Sequence, residues 1–228
     1  MNWYFADLGT VSYKTAWDLQ ANILEAKKEN NGFPDIVLFL EHSPVFTMGR
    51  TARPENLRLS ESEAEKAGIE IIQTDRGGDV TYHGPGQVIG YPVISLEKKR
   101  LRVTKYVEKL EETMIRTARA WNINAGRNCL NHGAWVGGKK LGSIGLAIKR
   151  KIAMHGFAIN ADLPLDPYDW INPCGLEHIS MTSLTRETGG KIEIHRVKQE
   201  LRKNMEDIFQ VSGRDVSENE LYTFLEGL

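Results

Sequence analysis

Apolar residues recur at helical spacing at Tyr13, Trp17, Ala21 and Leu24. This predicts an amphipathic helix over residues 12–29, ended by Asn30-Asn31-Gly32-Phe33-Pro34. Ile36–Leu40 is a short continuous apolar run, as in a strand covered on both faces. Ser60 with Glu63 reads as a capping box opening a short helix that stops at Gly68. Ile69–Ile72 and Val88–Ile94 read as strands, and Pro92 predicts an edge position or a bulge for the second. Val103, Val107, Leu110, Met114, Thr117 and Trp121 mark the clearest helix. Ala134–Val136, Lys140–Ile148 and Ile152–Ile159 then form three strands joined by turns at Gly137-Gly138 and Lys149-Arg150-Lys151. A helix over 195–210 and a last one capped by Ser217 with Glu220 close the chain.

Strands and helices are intermixed, so the fold class is α/β (α+β), with one main sheet. No internal repeat or linker divides the 228 residues. They read as a single domain, with a small C-terminal part from about 190, where the chain turns helical and polar. The net charge of −1, with signs interspersed, argues against nucleic acid or an anionic membrane as main partner. No apolar run is long enough to span a membrane, and Asp7 follows too soon for a signal peptide. A cytoplasmic protein with its two cysteines free is the expectation.

The candidate chemistry sits in three segments. Arg76–Gln87 holds Gly77, Gly78, Gly84, Pro85 and Gly86 among the hydrogen-bonding side chains of Arg76, Thr81, Tyr82, His83 and Gln87. Lys140 opens Lys140-Leu141-Gly142-Ser143-Ile144-Gly145, and Cys174 lies in Pro173-Cys174-Gly175, a turn sequence. A thiol, an amine and a glycine-rich segment are the parts of an acyl-transfer site. Taken singly each has an ordinary explanation: a surface loop, a solvated lysine, a buried thiol. His178 is an alternative base for the thiol. Cys129 reads as structural or incidental. G-x-x-x-x-G-K-[ST], H-E-x-x-H and G-x-S-x-G are all absent, and neither cysteine has metal-ligand spacing, so no metal and no cofactor is expected.

Together the segments resemble the lipoyl(octanoyl) transferase family. The resemblance rests on Glu41–Arg50, Arg76–Gln87, Lys140–Gly145, His155–Asn160, Pro173–Gly175 and Thr182–Leu184, in family order over roughly residues 10–210. Asp79 departs from it, standing where a neutral polar residue is common, as does Ser43, where proline is common. The resemblance implies the biotin/lipoate protein ligase fold, a mixed sheet with helices. It implies that Cys174 carries an octanoyl thioester and that Lys140 lowers the pKa of the thiol. It maps substrate contacts onto Arg76, Gly77, Gly78, Asp79, Val80, Thr81, Tyr82, His83, Ser143, Ile144, Gly145, Gly156, Phe157 and Ala158. Octanoyl-acyl-carrier protein is the implied donor. The implied acceptors are lipoyl domains of 2-oxoacid dehydrogenase E2 subunits and the glycine cleavage H protein. An ATP-dependent lipoate–protein ligase is the alternative, and a silent binding module the rival from another class.

Overall fold

Strand β1 (Asn2–Val11), helix α1 (Tyr13–Glu29) and strand β2 (Asp35–His42) open the chain as a βαβ unit whose strands pair in parallel. Parallel neighbours need a crossover, and the helix supplies it. In this computed structural model residues 2–175 and 179–226 are described; the side chain of Cys174 and all of His178 lie outside the described residues. Next come β3 (Val45–Met48), α2 (Glu61–Lys66), β4 (Glu70–Gln73), β5 (Val80–His83) and β6 (Gln87–Val93). Helix α3 (Val103–Arg119) leads to the meander β7 (Gly126–Asn128), β8 (Asn131–Val136), β9 (Lys139–Lys149) and β10 (Ile152–Asn160). Helices α4 (Leu184–Thr188) and α5 (Ile194–Phe209), strand β11 (Ser212–Asp215) and helix α6 (Glu218–Glu226) complete it.

The main sheet has eight strands in the order β11-β1-β2-β6-β10-β9-β8-β7; β4-β3-β5 form a second, three-stranded sheet. The apolar run of β2 is buried on both faces. Val37 and Phe39 join a core with Leu110 and Met114 of α3 and Leu201 and Met205 of α5. Ile36, Leu38 and Leu40 face the other way, against Ala16, Leu19 and Ile23 of α1 and Leu221 of α6. Each such side chain contributes ~1.5–3 kcal/mol by leaving water. The capping boxes at Ser60–Glu63 and Ser217–Glu220 form as their spacing predicts.

Three expectations change. Strand β6 lies inside the sheet, between β2 and β10, although it carries Pro92. Its ladder to β10 runs from Gln87 to Gly90 and resumes only at the Ser95–Ile152 bridge, so Pro92 falls where no partner awaits an N–H. The irregularity belongs to β10, where His155 has φ 55. In α3 the buried face is anchored by Tyr106 at 0% exposure, and Val103 is 46% exposed. The end of the chain is not purely helical: β11 pairs in parallel with β1, and α5 packs against α3.

This placement separates two residues of one apparent stripe. Leu110→Ala should cost ~2–5 kcal/mol in urea unfolding, the range for a truncated core leucine. Val103→Ala should stay within ~0.5 kcal/mol, as surface substitutions do. Equal losses at both positions would contradict the observed orientation of α3.

Candidate acyl-transfer site

The β9–β10 hairpin and the turn between β4 and β5 enclose a slot. It is lined by Arg76, Gly77, Gly78, Asp79, Thr81, His83, Ser143, Ile144, Gly145, Gly156, Phe157 and Ala158. All twelve were singled out from the sequence. Val80 and Tyr82 are not on its lining. Side chains alternate across a strand, so Thr81 and His83 of β5 face the slot. Val80 and Tyr82 turn into the small-sheet core with Phe46 and Tyr168. Sequence reasoning missed Tyr13, Tyr91, Asn131 and His155, which also line the slot. His155 did stand inside a quoted motif segment. Tyr13 carried no local signal: it meets His155 from 142 residues away.

Arg76 shapes the roof of the slot. Its Nε donates to Thr47 Oγ1 (3.1 Å), and one Nη donates to the carbonyls of Thr47 (2.6 Å) and Asp79 (2.7 Å). The other Nη reaches the Gly77 carbonyl at 3.0 Å. Gly78 has φ 91, a conformation that costs glycine little and other residues much. Asp79 is part of the frame. It accepts from the Val80 amide (2.6 Å) and from Asn56 Nδ2 (2.7 Å).

The Pro173–Gly175 turn is tied to that frame. A methyl group built on Gly175 would stand 2.7 Å from Asp79 Oδ2, and the Asn172 amide donates to the Asn56 carbonyl (2.8 Å). Lys140 is not on the slot lining; it is fully buried, its Nζ 5.3 Å from the centroid of the Trp135 ring. Its backbone amide donates to the Ser180 carbonyl, and its carbonyl accepts from the Thr182 amide, both at 2.9 Å. The segment that follows the cysteine turn thus runs beside the lysine. Cys129 is exposed, away from the core.

Three buried imidazoles cluster at the slot: His83 and His155 line it, and His42 packs against His83. Burial pushes His42 down to about 4 from its usual 6.5. Burial and the proximity of His42 hold His83 well below that range. Burial also lowers His155, against the pull of Asp75. All three are neutral at pH 7, and their tautomers follow from their partners. His42 Nδ1 donates to the Val11 carbonyl (3.0 Å), so its Nε2 accepts from the Tyr91 hydroxyl (2.8 Å). His83 Nδ1 donates to Gln87 Oε1 at 2.6 Å, because Gln87 Nε2 is already a donor to Asn160 Oδ1. Among the described residues no group of three or more His, Cys, Asp or Glu could hold a metal ion. Away from the Arg76–Asp79 turn the slot is lined by apolar strand surface, glycine backbone and neutral polar groups, which suits an uncharged chain.

Known proteins resemble this chain in sequence and in fold. The family model of the lipoyl protein ligase A/B catalytic domain matches residues 12–206. An octanoyltransferase of Desulfotalea psychrophila is 40% identical over 90% of this chain and 93% of its own. One from Alkaliphilus metalliredigens is 39% identical over 89% and 93%. Among solved structures, a bi-partite lipoate protein ligase from Thermoplasma acidophilum superimposes with a TM-score of 0.78 at 16% identity, covering 100% of this chain and 92% of that one. That likeness establishes the fold.

The buried imidazoles make stability depend on pH. The folded value of His42, about 4, lies below its unfolded 6.5, so the unfolded chain binds more protons between those values. Stability is complete above the unfolded value and is lost as pH falls through the folded one. His42 alone accounts for on the order of 3 kcal/mol of this loss. His83 and His155 act in the same direction. The urea midpoint should be lower at pH 5 than at pH 7.5, and His42→Gln should flatten part of the slope. A midpoint independent of pH over that interval would refute the neutral assignment.

Proposed function

We infer the reaction from one premise: the chain belongs to the lipoyl protein ligase A/B catalytic domain family. Its relatives of highest quoted identity are octanoyltransferases, and the protein is an acyltransferase that passes an octanoyl group to the lysine of a lipoyl domain. We propose further that all 228 residues form one catalytic domain, that octanoyl-acyl-carrier protein is the donor, and that Cys174 carries the group between donor and acceptor. E2 lipoyl domains and the glycine cleavage H protein are the proposed acceptors. The observation that supports the cysteine step is the nearness of the Pro173–Gly175 turn to Asp79 of the slot. Gly175 stands close to Asp79, which lines the slot, Asn172 before the turn is hydrogen-bonded to Asn56, and Ser180 and Thr182 beyond it pair with the backbone of Lys140.

The chemistry balances without ATP. The Cys174 thiolate attacks the carbonyl carbon of the donor thioester, a tetrahedral oxyanion forms, and the carrier thiolate leaves. The lysine amine of the lipoyl domain then attacks the new thioester. The Cys174 thiolate is expelled, and the amine loses a proton as the amide forms. The first step exchanges one thioester for another and is near balance; the second makes the more stable amide and runs forward. An unperturbed thiol, with pKa ~8.5, is only a few per cent ionised at neutral pH. A lysine ammonium beside it favours the thiolate. In this reading Lys140 has that role, and backbone N–H groups around Gly77 and Gly78 are suited to the oxyanion. The slot residues Thr81, His83, Ser143–Gly145 and Gly156–Ala158 enclose the acyl group. The ATP-dependent ligase is less supported: the likeness to ligases quoted above is one of fold at 16% identity.

Two experiments test this. Incubation with octanoyl-acyl-carrier protein, without ATP, should add one octanoyl mass that hydroxylamine removes. The adduct should persist in Cys129→Ala and vanish in Cys174→Ser; an adduct retained by Cys174→Ser, or an absolute need for ATP, would sink the cysteine route. Separately, Lys140→Met should slow alkylation of Cys174 at neutral pH about tenfold, the effect of a one-unit change in thiol pKa. The alkylation profile should also move to higher pH. Unchanged kinetics would assign the activation to another group, such as His178.

A further inference from the structure

One residue on the slot lining has an unusual backbone. His155 lies within β10 yet has φ 55, a left-handed conformation that a non-glycine residue adopts at a cost. The surroundings hold it there. Its backbone amide donates to the buried Gln20 Oε1 at 2.7 Å, and its Nε2 donates to Asp75 Oδ1 at 2.7 Å. Asp75 is itself fixed by Lys149 at 2.6 Å. With Nε2 carrying the proton, Nδ1 accepts from the Tyr13 hydroxyl at 3.4 Å. The Tyr91 hydroxyl is likewise spent on His42. These polar atoms are therefore engaged by partners within the protein. The rings pack together: Tyr13 lies parallel to His155 at 6.5 Å between centroids, and Tyr91 meets His155 edge-on at 6.1 Å.

Position along the hairpin gives the wall its meaning. The slot runs along β9 from Ser143, three residues beyond Lys140, to Gly145, which pairs with Gly156. His155 is the next residue of β10 and pairs with Leu146. From Ser143 to Leu146 is three residues of strand, ~10 Å. That is the scale of an extended eight-carbon acyl group. We propose that Tyr13, Tyr91 and His155 form an end wall that halts the acyl chain, making them the residues that set its length. The proposal rests on the octanoyltransferase reading and adds the determinant of substrate length to it.

Glycine takes φ 55 without strain, so His155→Gly opens the wall and keeps the backbone. Wild type, His155→Gly and Tyr13→Leu would be incubated with octanoyl-, decanoyl- and dodecanoyl-acyl-carrier protein, and initial loading rates read by intact mass. Each variant's fold would be checked by circular dichroism. Opening the wall should raise the decanoyl-to-octanoyl rate ratio on the order of tenfold, the gain from two more buried methylenes. If His155→Gly does not fold, Tyr13→Leu decides. A folded variant pair with the wild-type length profile overturns the wall while leaving octanoyl transfer intact. A wild-type protein that takes no octanoyl group overturns the functional reading itself.

Discussion

The guanidinium of Arg76 holds together what the rest of the site needs. It is buried, and it bridges Thr47 of β3 to the carbonyls of Gly77 and Asp79 in the turn above the slot. A planar fork of fixed donors suits this task, because several carbonyls can be fixed at once without flexible linkage. Its charge also acts at a distance. It opposes protonation of His83 and His155. One side chain thereby gives the turn its shape and helps to keep the neighbouring imidazoles neutral. The sequence places Arg76 among substrate contacts; it lines the slot, and its hydrogen bonds also make it a brace for the neighbouring glycines.

Most elements were legible because their signals are local. The apolar run of β2, the capping boxes and the β8–β9–β10 meander each follow from a few adjacent residues. Strand β1 gave no clear signal. Its pairing with β2 shifts between Asp7 and Thr10, with Gly9 at φ 62, so its alternation is broken midway. Strand β5 lay unseen within the glycine-rich segment, and that explains why Val80 and Tyr82 were grouped with their slot-facing neighbours. The ring wall was illegible for a different reason. Tyr13, Tyr91 and His155 come from a helix and two strands and acquire a joint role only through tertiary packing.

A chain of buried hydrogen bonds connects the two ends of the site. His83 donates to Gln87, Gln87 to Asn160, and Asn160 to the Thr182 carbonyl. Thr182 in turn donates through its amide to the carbonyl of Lys140. Every member is satisfied by another, and leaving one buried partner unmade costs ~1–3 kcal/mol. The glycine-rich segment, the end of β10 and the lysine strand are therefore held in one register. The Arg76–Gln87, His155–Asn160 and Lys140–Gly145 segments, far apart along the sequence, are mechanically one piece.

The order of the main sheet has a consequence for how the protein behaves among its neighbours. Its two outermost strands are β11, Ser212-Gly213-Arg214-Asp215, and β7, Gly126-Arg127-Asn128. Both are short, and both combine glycine with charged or amide side chains. A long, flat, apolar border would invite strands of other molecules to add to it and grow fibres. Here the eight-stranded sheet ends on each side in a few polar residues that make a poor template. An extensive buried sheet can thus end in short borders that offer little for another strand to pair with.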